Sequence, residues 1–113
     1  MSKLSDKTKE FLKEIFPHHS IYEEHYINYE GTRLFFDFYI KELNVLVEVQ
    51  GLQHYQFIKH FHTDREGFVS AKRRDNLKKA YCEETGSVLV EIRSDKELDK
   101  VKFIERIWKG MMS

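Results

Sequence analysis

The sequence has little cysteine and little proline: among 113 residues there is one of each, Cys82 and Pro17. A lone cysteine cannot form an internal disulfide, which excludes a small scaffold held together by disulfides. A reducing, intracellular (cytoplasmic) compartment is therefore the simplest setting. No repeat, low-complexity tract or linker interrupts the chain, and its length fits a single domain over residues 1–113.

Long apolar runs are also missing. No stretch approaches the roughly 20 apolar residues that a membrane span needs, and the N-terminus (MSKLS) lacks the apolar segment of a secretory signal. We therefore expect no membrane partner. Apolar and aromatic residues are as frequent as in ordinary globular proteins, which argues against disorder.

The chain has no surplus charge, because 19 Lys and Arg balance 19 Asp and Glu. This balance argues mildly against a dedicated nucleic-acid binder, but less against a nuclease, whose acidic metal ligands would cancel basic residues elsewhere. One basic run stands out: Lys72, Arg73, Arg74, Lys78 and Lys79. It would either follow nucleic-acid phosphates or form a solvated helix face, and the sequence favours neither.

Hydrophobic periodicity and turn residues predict an α/β (mixed α+β) domain in the order α-β-β-β-α-β-α, with a mixed sheet flanked by helices on both faces. The predicted elements are a helix over Ser5–Phe16, strands over Ile21–Tyr29, Thr32–Ile40 and Asn44–Gln50, a helix over Val69–Glu84, a strand over Val88–Ile92, and a last helix. A capping box at Ser94 and Glu97 is predicted to open the last helix, and Gly110 to end it. Residues 51–67 read as irregular.

The buried face of each element follows from the same patterns. On the last helix the predicted apolar stripe is Leu98, Val101, Ile104, Ile107 and Trp108. Four aromatic residues are expected in the core rather than in a base-stacking platform: Tyr22, Tyr26, Phe35 and Phe36. Cys82 is expected to be a small buried apolar residue.

Two carboxylates are predicted to face each other across the central hairpin. Strand alternation puts Phe36, Phe38 and Ile40 on one face of the second strand and Asp37 on the other. A hairpin centred near residues 42–43 then sets Asp37 opposite Glu48, with Cβ atoms roughly 4.5–5.5 Å apart. Such like charges repel unless a cation such as Mg²⁺ lies between them. The alternative is a solvated pair on an open sheet face.

Four segments carry a resemblance to a known family: residues 36–40 (FDFYI), 44–51 (NVLVEVQG) with His54 after it, 73–76 (RRDN) and 86–92 (GSVLVEI). In order and spacing they resemble the core of the PD-(D/E)XK nucleases. The similarity is greatest to the very-short-patch-repair (Vsr-like) endonucleases and to related phage homing endonucleases. It extends over about residues 10–93 and implies a restriction-endonuclease-like core.

The resemblance implies roles for individual residues. Asp37 matches the central metal-binding aspartate of the family, and Glu10 falls where these enzymes carry a glutamate on the first helix. Glu48 and Gln50 match the E-x-K element, with glutamine in place of the lysine. A glutamine can hydrogen-bond a water molecule but supplies no positive charge.

Two further matches lie beyond the third strand. His54 falls near the histidine that the repair-type branch uses as a general base, and Asp75 near an aspartate that would orient it. The nearby His60, His62 and Asp64 resemble a metal cluster by composition. We interpret them instead as a polar loop over the cleft, because their alternate spacing in an irregular segment fixes no ligand geometry.

The implied activity is hydrolysis of DNA by an endonuclease that depends on Mg²⁺ (or Mn²⁺). Asp37, with Glu48 or a neighbouring carbonyl, would hold the ion, and Lys72, Arg73 and Arg74 would bind the phosphate backbone. The missing lysine keeps open a non-catalytic DNA-binding module on a decayed nuclease fold. A structure-specific or RNA-directed nuclease is a further alternative.

The expected partner is DNA, but one small domain offers little surface for reading a long site. Specific recognition modules bury about 600–1,000 Å². We therefore expect a fused DNA-binding segment, a homodimer or low sequence specificity. A phage or mobile-element origin would fit the resemblance.

Overall fold

The computed structural model describes residues 3–50 and 65–112, with the backbone alone for 65–68 and 71. Its helices and strands are α1 (Lys3–Ile15), β1 (Ile21–Tyr29), β2 (Thr32–Ile40), β3 (Val45–Val49), α2 (Arg65–Thr85), β4 (Val88–Ile92) and α3 (Lys100–Met112). The predicted element order is confirmed over these residues. The bounds differ most at two helix starts: α2 begins at Arg65 rather than at Val69, and α3 begins at Lys100 rather than at the capping box of Ser94.

The four strands form one mixed sheet in the order β1-β2-β3-β4. Strands β1, β2 and β3 are antiparallel to their neighbours, and β4 runs parallel to β3. The turn between β1 and β2 is the predicted one: Glu30 and Gly31 have φ of 49° and 76°. Two successive positive φ values are typical of a type I′ turn, whose twist matches that of the two strands it joins. Helix α2 provides the crossover that a parallel pair requires.

Helices cover both faces of the sheet, as predicted. Helices α1 and α3 pack on one face, here called the α1/α3 face; its buried residues are Leu12, Phe16, Phe38, Ile40, Val45, Val47, Val88, Val90, Ile92, Phe103 and Ile107. Helix α2 packs on the other, the α2 face, where the buried residues are Leu34, Phe36, Leu46 and Cys82. Within the described residues, no helix combines the length and apolar character needed to cross a lipid bilayer.

The side-chain alternation of β2 changes phase at Asp37. Phe36 packs on the α2 face, whereas Phe38 packs on the α1/α3 face, so the prediction that they share a face is wrong. The cause lies in the β1–β2 ladder, which pairs residue 23 with 38 and 25 with 36 but skips the position between them. There Glu24 has φ of 51°, a left-handed conformation that interrupts regular strand alternation.

The predicted burial of the last helix is wrong in part. Val101 and Trp108 are 65% and 63% exposed, and Phe103 and Ile107 are the buried residues instead. The capping box between Ser94 and Glu97 is present, but it caps the start of a separate 3-10 turn, Asp95–Glu97. Helix α3 begins separately at Lys100. The residues that it buries therefore differ from those predicted by running one helical repeat on from the capping box.

Gly110 does not end α3, which continues to Met112. A Cβ atom on Gly110 would lie 2.5 Å from Cγ1 of Val88, much closer than van der Waals contact permits. Glycine at this position therefore allows α3 to approach β4 closely, and this packing requirement explains a glycine that the sequence pattern had indicated as a helix stop.

The four aromatic residues that were expected in the core differ in their burial. Phe36 is fully buried, but Tyr22 and Tyr26 are 48% and 50% exposed, so the expectation that both tyrosines are core residues is wrong. Cys82 is 5% exposed, as predicted, and burial raises the pKa of its thiol to about 11. The thiol is therefore protonated and unreactive at neutral pH.

We expect Gly110→Ala to lower the free energy of unfolding by about 1–3 kcal/mol, because overpacking against Val88 outweighs the gain in helix propensity of about 1 kcal/mol. Urea denaturation monitored by circular dichroism would measure the change. Introduced into a Val88→Ala background, the same substitution should cost much less, since the clashing methyl groups are then absent. Stabilisation by Gly110→Ala alone would contradict the packing argument.

Candidate active site

The ladder between β2 and β3 ends where two carboxylates replace backbone partners. Its last pair is Phe38 with Val47. One residue further along, the N–H of Asp37 donates to Oε1 of Glu48 at 3.2 Å, and the N–H of Val49 donates to Oδ2 of Asp37 at 2.7 Å. The register is the predicted one, with residue 37 across from residue 48. Both carboxylates therefore lie at the end of the ladder.

The two carboxylates nevertheless border different cavities. Asp37 lines a cavity of about 210 Å³ on the side of α1, together with Ser5, Glu23 and Glu24. Glu48 lines a cavity of about 90 Å³ on the side of α2. The prediction that both point to one face is wrong, because the phase change at Asp37 turns this residue toward the α1/α3 face. Glu48 is only 5% exposed, so a solvated pair is excluded as well.

Glu48 forms a buried ion pair that the sequence analysis did not identify. Its Oε2 accepts a hydrogen bond from Nζ of Lys78 at 2.9 Å, and the two side chains are 6% and 12% exposed. The ammonium also lies over the rings of Phe35 and Phe36, at 5.8 and 5.4 Å from their centroids. Lys78 had been placed in the basic run. Its position four residues before the buried Cys82, on the same side of α2, was the available signal.

The charge state of Glu48 results from opposing effects. Burial raises the pKa of its carboxyl, and the neighbouring charge of Asp37 acts in the same direction, whereas the ammonium of Lys78 and the N–H of Asp37 lower it; the resulting pKa is about 7. A carboxyl with a pKa near neutrality exchanges protons at physiological pH, a property found most often at functional sites.

Several predicted residues do come together at the Glu48 cavity. Its lining includes Gln50, Lys72 and Asp75 as well as Lys78. Gln50 is 3% exposed, and its backbone N–H donates to the carbonyl of Ile92 at 2.9 Å, which ties the end of β3 to β4. Lys72 and Asp75 are half-buried on α2. Three acidic, three basic and two amide side chains line this cavity in all.

Other predicted residues lie away from both cavities or outside the described residues. Glu10 is exposed on α1 and is not among the described residues that line either cavity, where α1 contributes Ser5 instead. Arg73 and Arg74 are exposed on α2. His54 lies outside the described residues, as do His60, His62 and Asp64, so their predicted roles stay predictions.

Within residues 3–50 and 65–112, no three His, Cys, Asp or Glu side chains converge closely enough to hold a metal ion by themselves. Asp37, Glu23 and Glu24 border one cavity without forming such a cluster. Mg²⁺ usually binds in proteins through one or two carboxylates together with oxygen atoms from water and phosphate, and Asp37 could contribute such a carboxylate.

Comparison with known proteins finds relatives in viruses. Over 56 residues the chain is 41% identical to "Uncharacterized protein 307L" of Invertebrate iridescent virus 6. It is 37% identical over 62 residues to "Uncharacterized protein 033L" of Invertebrate iridescent virus 3, and 36% identical over 63 residues to "Uncharacterized protein 094L" of Frog virus 3 (isolate Goorha). No protein-family profile and no solved structure matches the chain.

The alignments cover only part of this chain and only part of each viral protein. They cover 50%, 55% and 55% of this chain, but only 28%, 32% and 41% of the three viral proteins in turn. The chain thus corresponds to less than half of each relative. The names of these relatives describe no activity.

Glu48 should make the protein less stable as the pH rises. Its pKa is raised to about 7 in the folded chain from an ordinary 4.5, so the folded state holds this proton more tightly than the unfolded state. Its contribution to stability is fully present below pH 4.5 and is lost as the pH rises through 7. Denaturant unfolding between these values, in EDTA, should show this decrease.

Glu48→Gln should flatten the decrease, whereas Glu83→Gln, which changes an exposed carboxylate on α2, should retain it. Lys78→Met should raise the pKa of Glu48 further, because the opposing ammonium is removed; a carboxyl ¹³C NMR titration would detect the shift. An unchanged pH profile in Glu48→Gln would show that this carboxyl is not the group responsible.

Proposed function

We propose that this chain is a metal-dependent DNA endonuclease of the PD-(D/E)XK type, which hydrolyses phosphodiester bonds. The observation that carries the proposal is the end of the β2–β3 ladder. There the carboxylate of Asp37 is held by the N–H of Val49 at 2.7 Å and borders an acidic cavity. The buried Glu48–Lys78 pair lies beside it. A carboxylate held in place at the rim of a cavity is suited to binding a divalent cation.

Asp37 fits the role of principal metal ligand better than Glu48 does. It supplies carboxylate oxygen to a cavity of about 210 Å³, and Mg²⁺ prefers one or two carboxylates together with water and phosphate oxygens. Both oxygens of Glu48 already accept hydrogen bonds, from the N–H of Asp37 and from Lys78. Glu48 therefore acts mainly by positioning Asp37. The bound ion would stabilise the negative charge that develops on the scissile phosphate.

Lys78 supplies the positive charge that Gln50 cannot. Both side chains line the Glu48 cavity, so a lysine from α2 occupies the surroundings in which the family motif has a lysine on the strand. Its ammonium is oriented by Glu48 at 2.9 Å and is largely shielded from water, and shielding strengthens its interaction with an anionic substrate.

The remaining predicted roles complete the proposal. His54 would act as general base and Asp75, half-buried at the Glu48 cavity, would orient it. Lys72 lies at the same cavity, while Arg73 and Arg74 are exposed on α2, where guanidinium groups can bind phosphates. The viral relatives are compatible with a virus or mobile element as the source. Their greater length leaves room for the DNA-binding segment that so small a domain would need; a homodimer is the other solution.

Plasmid cleavage with Mg²⁺, Mn²⁺ or EDTA tests the proposal. We expect metal-dependent nicking that Asp37→Asn lowers by about 100-fold or more, because even the outer-shell partners of metal ligands typically cost 10–100-fold when they are mutated. Glu105→Gln is the matched control, since it neutralises an exposed carboxylate on α3 and should leave cleavage unchanged. His54→Ala in the same assay tests the general base.

Two results would count against the nuclease. Cleavage by Asp37→Asn at the rate of the unchanged protein would remove Asp37 from the site and point to a contaminating enzyme. Absence of cleavage with each metal, together with retained binding of DNA, would favour the non-catalytic module on a decayed nuclease fold.

A further inference from the structure

Three side chains at the exposed part of the β1–β2 hairpin form a stacked group, here called the hairpin ridge: Tyr26, Arg33 and Phe35. Tyr26 and Phe35 are directly paired across the two strands, and their ring centroids are 5.3 Å apart. The guanidinium carbon of Arg33 lies 4.3 Å from the centroid of the Tyr26 ring. Despite these contacts Tyr26 remains 50% exposed, so the ridge presents planar π surface to solvent.

The hairpin ridge adjoins the candidate active site. Phe35, one end of the ridge, lines the same cavity as Asp37. A ligand resting on the ridge would therefore extend toward that carboxylate.

The charges around the cavity favour an uncharged ligand group on the ridge. Glu23, Glu24 and Asp37 border the cavity, and Lys9 offsets one of them through an ion pair with Glu23 at 3.2 Å. Without a bound cation, these acidic side chains would repel a phosphate backbone, whether of a duplex or of a single strand, that lies directly against the cavity. A nucleobase is planar, uncharged and polarisable, and it can stack on an exposed tyrosine or on a guanidinium plane.

We infer that the hairpin ridge stacks an unpaired base, and that the substrate carries a single-stranded segment at the candidate active site. Bases inside a duplex are already stacked on each other and cannot lie flat on a protein side chain unless they are extruded. Stacking of this kind tolerates any base, because every base has a π face. The inference rests on the proposed function and specifies its substrate as single-stranded, bulged or flapped nucleic acid.

The same strand offers a matched control. Tyr22 is 48% exposed, almost the same as Tyr26, but it stacks on Tyr39 at 6.5 Å, a residue that packs with the α2-face cluster. The phase change at Glu24 separates the two tyrosines, so that only Tyr26 contacts the aromatic residue that borders the Asp37 cavity. Removing either ring deletes a similar amount of exposed aromatic surface.

Binding is measured with the full chain in EDTA, so that no cleavage occurs, by fluorescence anisotropy of a labelled single-stranded DNA oligonucleotide and of its duplex. We expect the single strand to bind more tightly than the duplex. Tyr26→Ala should weaken single-strand binding about tenfold, since base–aromatic stacking is worth roughly 1–3 kcal/mol per base. Tyr22→Ala should leave it unchanged, and Tyr26→Phe, which keeps the ring, should retain most of the affinity.

A 2-aminopurine base in the oligonucleotide adds a readout of stacking itself, because its fluorescence is quenched when it stacks. Quenching that Tyr26→Ala abolishes and Tyr22→Ala preserves would support the ridge. Equal effects of the two alanine variants, equal affinity for single strand and duplex, or no binding to the single strand would each overturn the inference.

This experiment separates the ridge from the nuclease. Single-strand binding that depends on Tyr26, without any metal-dependent cleavage, would support base stacking by the hairpin ridge and contradict the proposed nuclease activity. Cleavage of duplex DNA that Asp37→Asn abolishes and Tyr26→Ala leaves intact would retain the enzyme and overturn the ridge.

Discussion

The candidate site depends on one hydrogen bond, from the N–H of Val49 to the carboxylate of Asp37. It occupies a backbone donor that the β2–β3 ladder would otherwise have used, so the strands can separate without leaving a buried N–H unsatisfied. In the same way, the carboxylate of Glu48 accepts a hydrogen bond from the N–H of Asp37. The two acidic side chains thus terminate the β2–β3 ladder, and these hydrogen bonds fix their positions without any ligand.

The domain also holds a charged pair in its interior. Glu48 and Lys78 lie in a largely buried environment, where removal of one partner typically costs 3–5 kcal/mol because the other charge is left uncompensated. An apolar pair of similar volume would fill the same space without the cost of desolvating two charges. The Glu48–Lys78 pair is therefore weak evidence for a stabilising role.

The sequence predicted the strands well and the direction of individual side chains less well. Bounds of β1, β2 and β4 were predictable because Glu30-Gly31 and Gly86 mark turns that need positive φ. The face of the sheet on which Asp37 lies was not predictable. It depends on Glu24, a non-glycine residue with a left-handed backbone conformation inside a strand. Lys78 and Gly110 were assigned from local pattern, whereas each is explained by a tertiary contact, with Glu48 and with Val88.

The parallel pairing of β3 with β4 has a consequence for the order of assembly. The β1–β2 hairpin is closed by a two-residue turn and can form from local contacts alone, so the surface around Tyr26 is available early. Alignment of β4 beside β3, and docking of α2 with Lys78, requires closure of a loop that runs from Val49 to Val88. Loop closure of this length is slow and entropically costly. The hairpin surface around Tyr26 and the buried Glu48–Lys78 pair therefore become complete at different stages of folding, and the ion pair is finished last.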